Sequence, residues 1–149
     1  MDKGIKYYKK IFKGDAYMGF LAGKTAIITG AGRAVLSDGS CGSIGYGIAT
    51  AYAKEGANLV ITGRNIEKLN AAKEELESKY SIKVLAVQAD ICAGADNETI
   101  AKNTVKKAID EFGRIDVLIN NAQASASGVT LAEHTTEQFN LDFMQHFTI

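Results

Sequence analysis

Residues Lys24 to Gly47 read KTAIITGAGRAVLSDGSCGSIGYG. The stretch opens with an apolar run, Thr25 to Thr29, turns into glycines, and enters a helical pattern at Ile44. A strand, a glycine-rich turn and a helix start, in that order, form a phosphate-binding device: the helix presents unpaired N–H groups and the positive end of its dipole. Gly30 and Gly32 supply the turn. Gly45 lets the helix approach the strand, and the Ser43 hydroxyl can donate to a phosphate. Eleven residues, Arg33 to Ser43, separate the first glycines from the helix, an unusually long turn.

Working outward, strands and helices alternate. Continuous apolar runs mark buried strands at Thr25 to Thr29, Asn58 to Thr62, Ile82 to Gln88 and Ile115 to Ile119. The first helix is expected over Ile44 to Lys54, with Ile44, Ile48 and Ala51 or Tyr52 on its buried side, and Gly56 stops it. Asn65 caps a second helix from Ile66 to Lys79, which buries Ile66, Leu69, Leu76 and Tyr80. A third runs from Asp96 or Asn97 to Phe112, with a stripe of Ala101, Thr104, Val105, Ala108 and Phe112, and ends at Gly113. Ala124 to Gly128 reads as a flexible loop, and Thr136 to Met144 starts one more helix. The pattern predicts an α/β fold: a partial, Rossmann-like doubly wound parallel sheet in strand order 3-2-1-4, with right-handed crossovers.

Length and composition narrow the function. The 149 residues make one ordinary domain, and apolar residues are 46% of them, enough for a core. A formal net charge of zero argues against nucleic acid or an anionic membrane as partner. Cys41 and Cys92 have no metal-ligand spacing, and a reduced cytoplasmic protein is the expectation. No metal site is expected. His134 and His146 lack partners at nucleophile or metal spacing and read as exposed or partly packed. Residues 1–17, with five lysines among aromatics, lack the apolar core of a secretory signal. They read as a solvated extension, against a membrane-surface or partner-binding arm, and residues 18–149 form the domain.

Each later strand end adds a polar group. After the second strand, Thr62-Gly63-Arg64 holds no acid for a ribose 2′-hydroxyl, and Arg64 suits a 2′-phosphate. Arg33, in the turn, can assist. Both favour NADP(H) over NAD(H). Asp90 follows the third strand, where it can accept from an adenine amino group or serve as a loop carboxylate. Asn120-Asn121-Ala122 follows the fourth, where amides can brace neighbouring loops and line the nicotinamide ribose.

In order and spacing, Thr29-Gly30-Ala31-Gly32, Ser43-Ile44-Gly45-Tyr46-Gly47, Gly63-Arg64, Asp90-Ile91 and Asn120-Asn121-Ala122 together resemble the short-chain dehydrogenase/reductase family. The resemblance covers about Gly19 to Phe139. It implies a Rossmann-type domain and hydride transfer with a nicotinamide dinucleotide. By that likeness Gly30, Ile44 and Gly45 line the pyrophosphate, Asp90 and Ile91 the adenine, and Asn121 and Ala122 the nicotinamide side. Two features depart from the family. About nine residues are inserted into its TGxxxGxG turn, with Ser43 where a glycine is usual. The Ser-Ile-Gly-Tyr-Gly run is similar to the enoyl-reductase branch, whose turn is also stretched. Gln123 stands where Gly usually follows Asn-Asn-Ala.

The family's catalytic serine and Tyr-x-x-x-Lys pair lie beyond the fifth strand, and no Tyr or Lys follows Asn121 here. No catalytic residue is therefore assigned. The expectation is the cofactor half of an oxidoreductase, ended before its catalytic segment and inactive alone. Set against it are a non-enzymatic fragment or interaction module, and an enzyme completed by another chain; a methyltransferase is more distant. With the fourth strand as an edge, self-association is also expected.

Overall fold

The computed structural model describes residues 19–40, 42–90, 96–123 and 130–140. The N-terminal extension, Cys41, Ile91, Cys92, the 124–128 loop, His146 and the helix expected past residue 140 lie outside the described residues. Four parallel strands form one sheet: β1 (Thr25–Thr29), β2 (Asn58–Gly63), β3 (Val84–Gln88) and β4 (Val117–Ile119), in the order β3-β2-β1-β4. Between them run α1 (Ile44–Lys54), α2 (Ile66–Lys79) and α3 (Asn97–Phe112). This is the Rossmann-like order read from the sequence.

The period-2 alternation of the strands divides the core in two. Ala26, Ile28, Leu59, Ile61 and Val84 pack under α1 and α2, with Leu69, Ala72 and Leu76 of α2. Ile27, Val60 and Val87 face the other way and pack with Ala108 of α3. β1 is wholly buried, as a strand covered on both sides must be. Side chains such as Ile28, Leu59, Ile61 and Leu69 each contribute roughly 1.5–3 kcal/mol by leaving water.

Two helices match the expected faces only in part. On α1 the buried residues are Gly45, Tyr46, Ala49 and Ala53; Ile48 and Tyr52 pack half-buried against the core as expected, whereas Ile44 is 78% exposed and Ala51 is exposed. Gly45, Ala49 and Ala53, at four-residue spacing, let the helix lie close on β1. On α3 the buried row is Thr104 and Ala108, flanked by half-buried Ile100 and Phe112, while Ala101 and Val105 face outward. Asp96 occupies the N-cap position of α3 without a side-chain cap bond. Asn65 caps α2 as expected, accepting from the Lys68 amide at 2.8 Å.

β3 and β4 are each two residues shorter than their apolar runs. The Asn58 side chain takes the Lys83 amide at 3.0 Å, and the Asp116 carboxylate takes the Thr25 amide at 2.9 Å. Side chains thus stand in for ladder bonds at both strand starts.

A cleft at the carboxyl ends of the strands

A cleft of about 280 Å³ opens where the four strands end. Its walls are the β1–α1 turn (Gly30, Ser43, Ile44, Gly45), the end of β2 (Thr62, Gly63, Arg64), the end of β3 (Ala89, Asp90) and the end of β4 (Asn121, Ala122, Gln123). The parallel register produces this meeting: Thr29 pairs with Thr62, and Gly63 with Gln88. In an open α/β sheet, ligands bind outside the carboxyl ends of the strands, next to the point where strand order reverses. Here that point lies between β1 and β4.

The glycine turn is built for close approach. Gly30 has φ 68°, a left-handed conformation that disfavours other residues. A β carbon there would lie 3.0 Å from Ala122. At Gly45 a β carbon would lie 2.3 Å from the Gly30 carbonyl oxygen and 2.6 Å from Asn121 Nδ2. Only glycine brings the start of α1 this close to the end of β1. Ser43 is the N-cap of α1; its hydroxyl accepts from the Tyr46 amide and donates to the Gly32 carbonyl, both at 3.4 Å. The Ile44 and Gly45 amides take no backbone partner among the described residues and stand at the positive end of the helix dipole. Donors, dipole and missing side chains together fit a pyrophosphate.

Asn121 locks β4 to β1. Its side-chain Nδ2 donates to the Thr29 carbonyl at 2.8 Å, and its backbone amide donates to the Thr29 hydroxyl at 2.9 Å. The Ala122 amide donates to the same hydroxyl at 2.9 Å, and that hydroxyl donates to the Ile119 carbonyl at 3.3 Å. The bracing role expected of these amides is therefore present. Gln123 is exposed on the same wall.

Arg64 is exposed on the cleft wall, and its guanidinium has no ion-pair or hydrogen-bond partner among the described residues. Its backbone carbonyl is held by Gln88 Nε2 at 2.9 Å. Arg33 is placed differently from the expectation. It lies off the cleft, with its Nε on the Glu75 carboxylate of α2. Lys79 pairs with the other oxygen of the same carboxylate. Hydrogen bonds from Arg33, then from Lys79, hold the Glu75 carboxyl down to about 2. Burial, and after it the facing Glu75 carboxylate, push the Tyr46 hydroxyl up to about 12. A cation so closely matched on α2 is occupied within the protein.

The same clip anchors the inserted turn. The Arg33 amide donates to the Lys68 carbonyl at 2.9 Å. Beyond it the chain folds back on itself, with Gly42 N to Ala34 O at 2.8 Å and Leu36 N to Ser40 O at 2.9 Å. None of the described residues from 33 to 42 lines the cleft, and Gly32 abuts Lys68 instead of facing it. The long turn is thus a strap against α2, and Ser43 returns the chain to the place a short turn would reach.

Of the residues chosen from the sequence, Gly30, Ser43, Ile44, Gly45, Arg64, Asp90, Asn121 and Ala122 meet at the cleft; Gly32 and Arg33 do not. Thr62, Gly63 and Ala89 line it as well. The strand-end rule that selected Arg64 and Asp90 applies equally to these neighbours, one or two residues earlier. Among the described residues no group of three or more His, Cys, Asp or Glu could hold a metal, and no helix is long and apolar enough to cross a membrane.

Comparison with known proteins agrees with this geometry. The family model for short chain dehydrogenases matches residues 24–146. A 12alpha-hydroxysteroid dehydrogenase from Clostridium sp. is 59% identical over 124 residues, covering 83% of this chain and 45% of that protein. The crystal structure of L-sorbose reductase from Gluconobacter frateurii, complexed with NADPH and L-sorbose, superposes with a TM-score of 0.64 at 31% identity, over 83% of this chain and 41% of that one. The 3-ketoacyl-(acyl-carrier-protein) reductase from Brucella melitensis, complexed with NADH, gives 0.66 at 30% identity, over 85% of this chain and 45% of that one. The chain spans under half the length of each of these relatives. With the cleft at the strand ends, the 3-2-1-4 sheet and a match over most of its length, the chain belongs to the short-chain dehydrogenase family.

Proposed function

We propose that this chain is the NADP(H)-binding half of a short-chain dehydrogenase that interconverts a hydroxyl and a carbonyl on a hydroxysteroid. The observation that carries the cofactor reading is Arg64: a guanidinium without a partner among the described residues, at the end of β2 beside a glycine-lined helix start, with no carboxylate in the Thr62-Gly63-Arg64 segment. A guanidinium there favours a 2′-phosphate, whereas a carboxylate would favour the free 2′-hydroxyl. In this reading Ile44 and Gly45 hold the pyrophosphate, Arg64 the 2′-phosphate, Asp90 the adenine edge, and Asn121 with Ala122 the nicotinamide side. The bound nicotinamide would supply the hydride chemistry. The substrate class rests on likeness to the Clostridium hydroxysteroid dehydrogenase.

These 149 residues contain no Tyr or Lys after Asn121. We therefore read them as binding cofactor without turning over substrate unaided. β4 is the outermost strand among the described residues and its Leu118 is 55% exposed, and we take both to favour a chain that associates with a copy of itself.

Titration of the purified chain with NADPH and with NADH, followed by nicotinamide fluorescence and melting temperature, tests the assignment. NADPH should bind more tightly. Arg64→Ala should weaken NADPH by about tenfold or more, the worth of a charge-assisted contact, and leave NADH unchanged. Stabilisation by neither dinucleotide would sink the cofactor reading. Tighter binding of NADH would sink the preference for NADP(H).

A further inference from the structure

The inserted turn poses a mechanical problem. Its far end delivers the start of α1, and Ile44 and Gly45 there line the cleft. A loop as long as Arg33 to Ser43 does not by itself hold its two ends at a fixed spacing, because closing a longer loop costs more entropy. An anion site needs that spacing set before the ligand arrives. The bonds across the base of the turn do little to set it. The Ser43 hydroxyl reaches the Gly32 carbonyl only at 3.4 Å, long for a hydrogen bond. The Gly42 amide on the Ala34 carbonyl ties the turn to itself.

One carboxylate outside the cleft meets both flanks of the turn. Glu75 Oε2 accepts from Arg33 Nε, at the residue where the turn begins. Tyr46 lies three residues past its end, is 5% exposed, and points its hydroxyl toward the same carboxylate. Lys79 Nζ holds the other oxygen, Oε1, from one turn further along α2. Leu69, Ala72 and Leu76 fix that helix on the sheet, so the carboxylate stands on a rigid base. We propose that Glu75 is a positioning residue for the dinucleotide: by clamping Arg33 and Tyr46 to α2, it holds the start of α1 at the distance from Gly30 that a pyrophosphate requires. The inference rests on the cofactor reading above and adds a residue that does not line the cleft. An effect of the Glu75 charge itself has the opposite sign. Glu75→Gln removes a negative charge and releases Arg33 and Lys79, so electrostatics alone would tighten an anionic ligand. Loss of position weakens it.

Glu75→Gln and the double variant Arg33→Gln/Glu75→Gln test this, with NADPH and adenosine 2′-monophosphate as probes, at a temperature well below each melting midpoint. The second probe offers its phosphate to Arg64 and has no pyrophosphate for the start of α1. Glu75→Gln should weaken NADPH about fivefold, the worth of one net hydrogen bond, and leave adenosine 2′-monophosphate unchanged. The double variant should lose no more than Glu75→Gln alone, because both changes cut one clamp. Unchanged or tighter NADPH binding by Glu75→Gln overturns this inference and leaves the cofactor reading standing. Equal weakening of both probes also overturns it, since the carboxylate would then serve the fold at large, and so does an additive loss in the double variant. A wild-type chain that binds neither probe overturns the cofactor reading, and this inference with it.

Discussion

Replacing Gly45 with alanine tests the idea that the site depends on how closely α1 meets β1. The new methyl would start 2.3 Å from the Gly30 carbonyl oxygen, 2.6 Å from Asn121 Nδ2 and 2.9 Å from the Gly30 carbonyl carbon. A carbon–oxygen contact settles at about 3.3 Å, so the helix or the strand end must retreat by about 1 Å. Neither has a free direction. Gly30 already sits in a left-handed turn against Ala122, and Asn121 is bonded to the Thr29 carbonyl at 2.8 Å. Retreat of β1 would strain the β1–β4 lock; retreat of α1 would open the core at Ala49 and Ala53, both buried. Overpacking against backbone belongs at the upper end of the usual range, about 3 kcal/mol, which for a chain of this length lowers the melting temperature by about 10 °C.

The assay is a thermal melt followed by far-ultraviolet circular dichroism, with Gly63→Ala as the control. At Gly63 a β carbon would meet nothing nearer than Leu69 Cδ2 at 3.6 Å, an ordinary contact. The control should melt within about 1 kcal/mol of wild type. A Gly45→Ala protein that melts within 2 °C of wild type, taking about 2 °C as the resolution of the comparison, would refute the reasoning. The helix could then not be as close to the strand as described.

Two other outcomes follow from the same geometry. Glu75 has its carboxyl held near 2 in the folded protein, below its ordinary 4.5, so its contribution is complete above about pH 4.5 and is lost as pH falls toward 2. Glu75→Gln should therefore be less stable than wild type at neutral pH, by a margin that narrows at pH 3; a margin that stays constant between pH 6 and pH 3 would contradict the clip. The same variant should speed proteolysis within the strap, whose base depends on Arg33. Leu118→Lys, an exposed position on the outermost strand among the described residues, should shift the chain toward monomer in sedimentation velocity, and an unchanged distribution would remove β4 from any role in association.

Most of the fold was legible because the strands announce themselves. Thr25 to Thr29 is apolar and bounded by Lys24 and Gly30, and the structure gives it those same limits. Asn65 carried its cap in its side-chain type, and Gly113 its stop in its missing side chain; both are local signals. The helix faces were less legible. Ile44 and Val105 look like core residues by hydrophobicity, yet they are 78% and 47% exposed. Glycine and alanine took the buried row of α1 because closeness to β1 is a property of the pair, not of the helix.

The chain's own order of residues determined the family, the sheet order and eight of the residues at the cleft, because a parallel sheet brings its strand ends to one edge whatever the loops do. Tertiary structure alone decided what the polar side chains are free to do. Arg33 and Arg64 are both arginines beside a glycine turn, and sequence offered no way to separate them. The carboxylate that separates them, Glu75, lies 42 residues from Arg33 along the chain and reaches it only because α2 packs beside the strap. Thr62 and Thr29 are likewise adjacent and alike, but the start of the loop after β4 satisfies the Thr29 hydroxyl, while that of Thr62 has no partner among the described residues. Whether a group is spent on the fold or left for a ligand depends on distances between distant segments, and only folding sets those.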